Sequence, residues 1–154
     1  MIYDNRVLFS SAQSIVGSAG TGINSTNVID TGSVSRDLGN GDDILLLVEC
    51  TTSIVAAGSG TLTIALVSSA SSSLTTPTTH ASVSIPTAAS ASGVCVAGQQ
   101  MWCIAFPVQG QTYLEYLGII YTPVSQNISA GAVNAFLCTD PHGLAAYPTV
   151  SGLV

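Results

Sequence analysis

Hydrophobic and polar residues alternate with a period of two in several short segments of the chain, and helical periodicity is almost absent. The clearest segment is 61–68, in which Leu62, Ile64 and Leu66 lie on one side and Ala65, Val67 and threonines on the other. Side chains of a strand point alternately to its two faces, so this pattern predicts a strand with one face buried.

The same reasoning predicts about eight strands, separated by segments rich in Gly, Ser, Asn, Asp and Pro. They cover residues 6–13, 27–30, 44–52, 61–68, 80–85, 101–108, 113–121 and 132–138. In the first, Val7, Phe9 and Ser11 are expected to share a face. We interpret 17–22 as a flexible break and 58–60 as a hairpin-like break. This spacing favours a single-domain antiparallel β-sandwich or jelly roll.

The domain organisation follows from these segments. Residues 1–12 are expected to form an extended N-terminal segment, residues 13–143 the sandwich, and residues 144–154 a C-terminal tail. The tail ends apolar, with Leu144, Tyr147, Val150, Leu153 and Val154, which is unusual for a segment left in water.

Charged residues make up only 6% of the chain, whereas 47% is hydrophobic, and the formal net charge is −6. The only cations are Arg6 and Arg36. Neutralising phosphates requires clustered Lys and Arg, so we expect no direct binding to nucleic acid and no attraction to anionic membranes. A surface this poor in charge predicts that neighbouring proteins cover much of it.

Membrane insertion and secretion are both disfavoured by the pattern. The longest compact apolar run is 44–48, far below the roughly 20 residues of a spanning helix. Residues 1–6 have neither the basic start nor the apolar run of a secretory signal, so we expect synthesis and retention in the cytoplasm. There Cys50, Cys95, Cys103 and Cys138 are expected to be reduced and buried, with a zinc site or a disulfide as the alternatives.

Three candidate chemical sites have simpler structural interpretations. Cys138, Asp140 and His142 are spaced for metal ligation, but Pro141 favours an exit from the strand. His80 or His142 could meet a cysteine through folding, but no nucleophile motif supports an enzyme. The acidic loop with Asp37, Asp42 and Asp43 is a solvated turn, a calcium site, or a negative surface for a basic partner.

The aromatic side chains are most simply expected to pack in the core and against neighbouring strands. The alternative is that some of them anchor an interface with a partner. They are Trp102, Phe106, Tyr113, Tyr116 and Tyr121. If Trp102 with Tyr113 or Tyr116 lined an open concave face, the chain would instead be a carbohydrate-binding or adhesin-like module.

Several stretches resemble the jelly-roll capsid cement (decoration) proteins of tailed bacteriophages, of the Bordetella-phage cement protein type. They are Met1-Ile2-Tyr3-Asp4-Asn5, Leu8-Phe9-Ser10, Ala12-Gln13, Asn27-Val28-Ile29-Asp30, Arg36-Asp37-Leu38-Gly39-Asn40-Gly41-Asp42 and residues 58–66. The resemblance covers the first half of the chain, and the second half agrees in the spacing of its predicted strands.

The resemblance implies a β-jelly-roll that binds the outside of an icosahedral shell and joins neighbouring major capsid protein subunits. It implies no enzyme activity, no catalytic residues and no cofactor. The expected location is the outer surface of the virion, and the second expected partner is the protein itself, as a symmetric dimer or trimer.

Residues 1–9 are the first candidate for an extended contact arm that adds to a neighbouring sheet edge, and the C-terminal tail is the second. The alternative is that both ends fold onto their own domain. The expected partner-contact residues are Met1, Ile2, Tyr3, Asp4, Asn5, Arg6, Arg36, Asp37, Asp42, Asp43, Tyr147, Leu153 and Val154.

Overall fold

Nine strands in two antiparallel sheets make up the computed structural model, which describes residues 7–32, 44–87, 95–106 and 112–139. The strands are β1 (Leu8–Ser14), β2 (Ile23–Asn24), β3 (Ile29–Asp30), β4 (Leu45–Ala56), β5 (Thr61–Ser69), β6 (Thr78–Pro86), β7 (Gln100–Ala105), β8 (Tyr116–Val124) and β9 (Ile128–Cys138). These ranges contain no helix, so none long and apolar enough to cross a membrane is found in them.

The first sheet has the order β1-β9-β4-β7, and the second has the order β2-β8-β5-β6, with β3 also paired to β8. Pairing is nested about the loop between β5 and β6: β5 pairs with β6, β4 with β7, β2 and β3 with β8, and β1 with β9. A long hairpin rolled up so that its strands alternate between two sheets is a jelly roll. Because β2 and β3 share one position beside β8, the nine strands fill the eight positions expected from the sequence.

The core lies between the two sheets and is built by the predicted alternation. Leu62, Ile64 and Leu66 of β5 are completely buried, as are Leu46 and Val48 of β4. β4 lies between β9 and β7 and is therefore a central strand. Burial of such side chains contributes about 1.5–3 kcal/mol each to the stability of the sandwich.

Strand β1 departs from simple alternation. Ser10 is buried and Ser11 is exposed, so the expectation that Ser11 shares the face of Phe9 was wrong. The cause is an irregular register against β9 on both sides of Ser10, with Ala12 at a positive φ of 44°. The Ala12 N–H donates to the Asn134 side-chain oxygen at 2.7 Å.

Two connections also differ from the sequence-based interpretation. The break expected over 17–22 is followed by β2, whose Ile23 and Asn24 pair with β8. The break at 58–60 is not a hairpin, because it joins β4 of the first sheet to β5 of the second. Both errors concern pairings between segments that are far apart in the sequence.

A polar network closes the sandwich where β1 faces β2 and β3. Gln13 accepts hydrogen bonds from the Ser10 hydroxyl (2.7 Å) and the Thr26 N–H (2.8 Å), and it donates to the Asn24 carbonyl (2.7 Å). The Ser10 hydroxyl also lies 2.9 Å from the Tyr121 hydroxyl. Since the single Ser10 proton goes to Gln13, Tyr121 is the donor, and its phenol is kept neutral because burial raises its pKa.

We expect this network to be a measurable part of the fold stability. Ser10→Ala leaves the completely buried Tyr121 hydroxyl without its acceptor, so the free energy of unfolding should fall by about 1–3 kcal/mol. Urea unfolding measures the change. Ser84→Ala is the matched control, because its hydroxyl bonds Thr63 on an exposed face, and we expect it to cost about 0.5 kcal/mol or less. Equal losses in the two variants would contradict the assignment.

Candidate partner-binding surface

The connections between strands gather at two opposite ends of the sandwich. The β1–β2, β4–β5 and β8–β9 connections and the described part of the β6–β7 connection lie at one end. The β5–β6 connection lies at the other. Four residues at which described ranges begin or end lie at this second end, as their strand neighbours show: Val7, Gly32, Ile44 and Thr139.

Four exposed valines mark the first end, which we call the valine end: Val16, Val55, Val96 and Val124. They are 51%, 50%, 48% and 38% exposed, and they are the exposed large hydrophobic residues within the described ranges. Each belongs to a different connection or to the strand end beside it. Alternation along the strands puts Val55 on the outer face of the first sheet and Val124 on the outer face of the second, and singly exposed apolar residues of this kind are common on protein surfaces.

Main-chain hydrogen bonds hold the first and last of these valines in place. Gly17, next to Val16, exchanges two hydrogen bonds with Ile128, at 3.1 and 3.0 Å. The Gly20 N–H donates to the carbonyl of Pro123, the neighbour of Val124, at 2.7 Å. Residues 15–22 are therefore tied to β8 and β9, and the expectation of a flexible break at 17–22 was wrong.

The other two valines are held by the segment that precedes β7. The Ile54 N–H donates to the Cys95 carbonyl at 2.9 Å, and the Ala97 N–H donates to the Ser53 hydroxyl at 3.1 Å. These bonds place Val96 alongside the end of β4 that carries Val55. All four exposed side chains consequently project from hydrogen-bonded main chain.

Two buried cysteines lie beneath this end. The Cys50 thiol donates to the Thr52 carbonyl at 3.1 Å, and the Cys95 thiol donates to the Pro86 carbonyl at 3.4 Å. Burial raises the pKa of both thiols, and the proximity of Cys95 raises that of Cys50 further. Both thiols therefore stay protonated at neutral pH. No disulfide joins the cysteines within the described ranges, and Cys103 and Cys138 are half-buried, so the expectation that they are buried was wrong for these two.

Formal charge is confined to other parts of the molecule. The sequence has no Asp, Glu, Lys or Arg between residues 7 and 29, 50 and 114, or 116 and 139. These stretches include every connection at the valine end. Of the charged residues that the structure describes, Glu49 lies within β4 and accepts a hydrogen bond from Asn134, and the other two lie at the opposite end.

That opposite end, which we call the acidic end, is marked by Asp30 and Glu115. Asp30 accepts a hydrogen bond from the Gly32 N–H at 2.8 Å. The Glu115 carbonyl accepts two from Thr31, through its N–H and its hydroxyl, each at 2.8 Å. The pKa of the Tyr116 phenol is raised, mainly by the carboxylate of Glu115 and less by that of Asp30. A negatively charged phenolate beside these carboxylates would be repelled by them.

The residues expected to contact partners all lie outside the described ranges. They are Met1, Ile2, Tyr3, Asp4, Asn5, Arg6, Arg36, Asp37, Asp42, Asp43, Tyr147, Leu153 and Val154. The described residues that adjoin these segments lie at the acidic end. Within the proposed arm, Phe9 is fully buried in the core and Leu8 begins β1, so an arm role is restricted to residues before Val7. The boundary placed after residue 12 falls inside β1.

One ring nitrogen of His80 forms a hydrogen bond with the hydroxyl of a serine. It is the extra residue of a bulge in β6, because Leu66 pairs with Ala81 whereas Val67 pairs with Thr79. Its Nε2 lies 2.7 Å from the hydroxyl of Ser68, which is completely buried and also accepts the Leu114 N–H at 3.0 Å.

The aromatic residues form part of the core. The Tyr113 ring lies 4.0 Å from the His80 ring and 5.2 Å from that of Phe106, between centroids. Tyr113, Phe106 and Tyr121 are buried, and Trp102 packs against the core, which confirms the packing interpretation for these four. A platform for sugar stacking built from Trp102 and Tyr113 is therefore not present, and Tyr116 is half-buried.

Within the described ranges, no group of three or more His, Cys, Asp or Glu side chains is placed to hold a metal ion. Cys138 ends β9, but Asp140 and His142, its expected companions, lie outside those ranges.

The fold and one sequence comparison together define the class of protein. The chain is an all-β jelly roll, and its sequence matches the Bbp16 family over residues 9–137, which span nearly all of the described sandwich. The chain therefore belongs to the Bbp16 family, whose name is that of a Bordetella phage protein. No curated protein matches the sequence.

The valine end was not identified from the sequence, although one signal was available. The absence of charge from residue 50 to residue 114 is visible in the sequence itself. The sequence does not show where this uncharged stretch lies in the fold. The jelly-roll strand order brings parts of it to the same end as residues 15–22 and 125–127.

We expect alkaline pH to destabilise the protein through Tyr113. Burial raises the pKa of its phenol from 10 to about 12, so the folded state binds the proton more tightly than the unfolded state. This contribution to stability is complete below pH 10 and is lost as the pH rises toward about 12. Urea unfolding across this range should show a shallower decline for Tyr113→Phe. Ser84→Ala, which removes an exposed hydroxyl that does not titrate in this range, is the control and should keep the wild-type slope. A wild-type slope for Tyr113→Phe would contradict the expectation.

Proposed function

We propose that this protein is a structural virion protein, a capsid cement (decoration) protein that binds the outer surface of a tailed-phage head. It stabilises contacts between major capsid protein subunits. The observation that carries the proposal is the match to a phage family over residues 9–137, on a jelly roll with very little charge. The proposed role requires no catalysis and no cofactor.

Stabilisation arises by mass action, because a protein that binds the assembled shell but not its separated subunits shifts the equilibrium toward the shell. Many copies, each holding two or more capsid subunits, convert weak individual contacts into a strong combined effect. We further propose that the protein acts as a symmetric dimer or trimer. Its location is the outside of the capsid, after synthesis in the host cytoplasm.

The acidic end is the proposed attachment region for the terminal segments. Val7 and Thr139 both lie there, and so do Gly32 and Ile44, which flank the acidic loop with Asp37, Asp42 and Asp43. The topology therefore brings the starting points of three proposed contact segments to the same end of the sandwich. An extended arm from this end can pair with a sheet edge of a neighbouring subunit through main-chain hydrogen bonds.

Deletion of residues 1–5 tests the arm. We expect the truncated protein to occupy fewer sites on capsid shells that lack the protein, because the main-chain pairing is lost, while β1 is retained and the fold is unchanged. Co-sedimentation with the shells measures occupancy, and circular dichroism checks the fold. A separate deletion of residues 150–154 tests the C-terminal segment. Occupancy equal to that of the full chain would remove the arm from the proposal.

Salt distinguishes apolar from electrostatic attachment. The chain has two cations and eight carboxylates, so we expect attachment through apolar burial and main-chain pairing. Raising the salt to about 1 M shortens the Debye length to about 3 Å and should leave shell occupancy nearly unchanged. Sedimentation of decorated shells at low and high salt measures this. Release of the protein by salt would instead show that the acidic loop binds a basic surface.

A further inference from the structure

We propose that the outer face of the first sheet is a docking site for this chain's own tail, residues 144–154, which lie outside the described ranges. The inference goes beyond the proposed function, because it concerns an intramolecular contact of the free protein. It rests on two apolar side chains that are buried although they do not face the core.

These two side chains are Leu47 of β4 and Phe136 of β9, which are paired with each other in the sheet. Alternation points them away from the core cluster, to which their neighbours Leu46, Val48 and Ala135 belong. They are nevertheless only 3% and 1% exposed. Strand neighbours contact such side chains from the sides only, so burial this complete requires a part of the chain that lies over them.

The positions around these two residues on the outer face are also apolar. Leu8 of β1 pairs with Phe136, and Cys103 of β7 pairs with Leu47, so an apolar row crosses all four strands of the sheet. The next row, toward the acidic end, contains two more half-buried apolar residues. We call this surface the outer apolar face, and it consists of Leu8, Leu45, Leu47, Cys103, Phe136 and Cys138.

The second sheet has a similar covered position, and there the described chain supplies the cover. Gly118 lies between the core residues Leu117 and Ile119 of β8, so it faces outward, beside Val67 of β5. A Cβ atom at Gly118 would lie 2.6 Å from a methyl carbon of Leu74, which belongs to the β5–β6 connection. A segment that leaves the acidic end therefore folds back over the outer face of this sheet.

The cover over Leu47 and Phe136 comes from chain outside the described ranges. Each lies third from the acidic end of its strand, and the β5–β6 connection at that end packs on the second sheet. Residues 107–111 are too short to reach Phe136, because they join Phe106 to Tyr113, whose ring centroids lie 5.2 Å apart. The remaining segments that leave this end are 1–6, 33–43 and 140–154.

Composition selects the tail from these three segments. Residues 33–43 contain one arginine and three aspartates, and residues 1–6 contain Asp4 and Arg6. Residues 144–154 have no charged side chain and include two leucines, two valines and a tyrosine. Apolar side chains can cover leucine and phenylalanine without loss of hydration, whereas charged groups cannot.

The start of the tail favours a return over the first sheet. The tail continues from β9, the strand that carries Phe136, after Asp140-Pro141-His142-Gly143. This sequence has Asp, Pro and Gly at the first, second and fourth positions, as a type I turn prefers, and such a turn reverses the chain. A contact between the tail and a capsid subunit would therefore compete with docking on the chain's own sheet.

Cysteine alkylation of the free, full-length protein tests the docking. Cys103 and Cys138 belong to the outer apolar face, whereas Cys50 and Cys95 belong to the core cluster and report on the fold. We expect the double variant Val150→Ser, Leu153→Ser to raise the iodoacetamide reaction rates of Cys103 and Cys138 by roughly tenfold or more. Mass spectrometry of the digested protein measures the rate at each cysteine, and the two core cysteines should stay protected.

Matched variants separate loss of docking from general damage. The double variant Thr149→Ala, Ser151→Ala changes the same segment without removing its large apolar side chains, and should react within about twofold of the wild type. Deletion of residues 1–5 should also leave the rates unchanged. Deletion of residues 144–154 should raise the rates of Cys103 and Cys138 most. The single variant Leu153→Ser keeps the test informative if a larger change exposes Cys50 and Cys95.

The outcomes distinguish this inference from the proposed function. Wild-type rates in the serine variants and in the protein without residues 144–154 overturn the docking. Faster reaction after deletion of residues 1–5 alone overturns it in favour of the N-terminal segment, and wild-type rates that fall with protein concentration overturn it in favour of a second copy. None of these results involves shells, so each leaves the capsid role intact, and failure to bind shells leaves the docking intact.

Discussion

Burial of alternate apolar side chains between two sheets is the constraint on which the structure depends. Leu46 and Val48 of β4 meet Leu62, Ile64 and Leu66 of β5 across the sandwich, and all five are completely buried. Because each strand has one face in this core, its other face must be solvated or covered by a partner. On β6 of the second sheet, threonine and serine occupy four of the five exposed positions, and none of the five is charged.

Because charged residues are scarce, neutral side chains form the hydrogen bonds that satisfy polar groups in the sandwich. Ser10, Gln13 and Tyr121 close one side of the sandwich, and Ser68 joins His80 of β6 to Leu114 ahead of β8. Neutral hydrogen bonds of this kind are insensitive to salt, whereas ion pairs at a surface are screened. We therefore expect the fold to persist across a wide range of ionic strength.

The distribution of the few charges links the fold to the proposed role. Asp30 and Glu115 lie at one end of the jelly roll, and four exposed valines lie at the other. In the proposed capsid role, the segments that leave the acidic end make the contacts with the shell.

The sequence by itself determined the strands and their buried faces, since alternation depends only on neighbouring residues: β4, β5 and β9 lie close to where it placed them. It also determined that charge is missing from long stretches, and the residues at the start of the chain indicated the phage family. Only the tertiary structure decided the bulge that buries Ser10, the pairing of Ile23 and Asn24 with β8, and the gathering of four valines at one end. These features depend on hydrogen bonds between strands as distant as β1 and β9, and the local sequence carries no record of which strand will lie beside another.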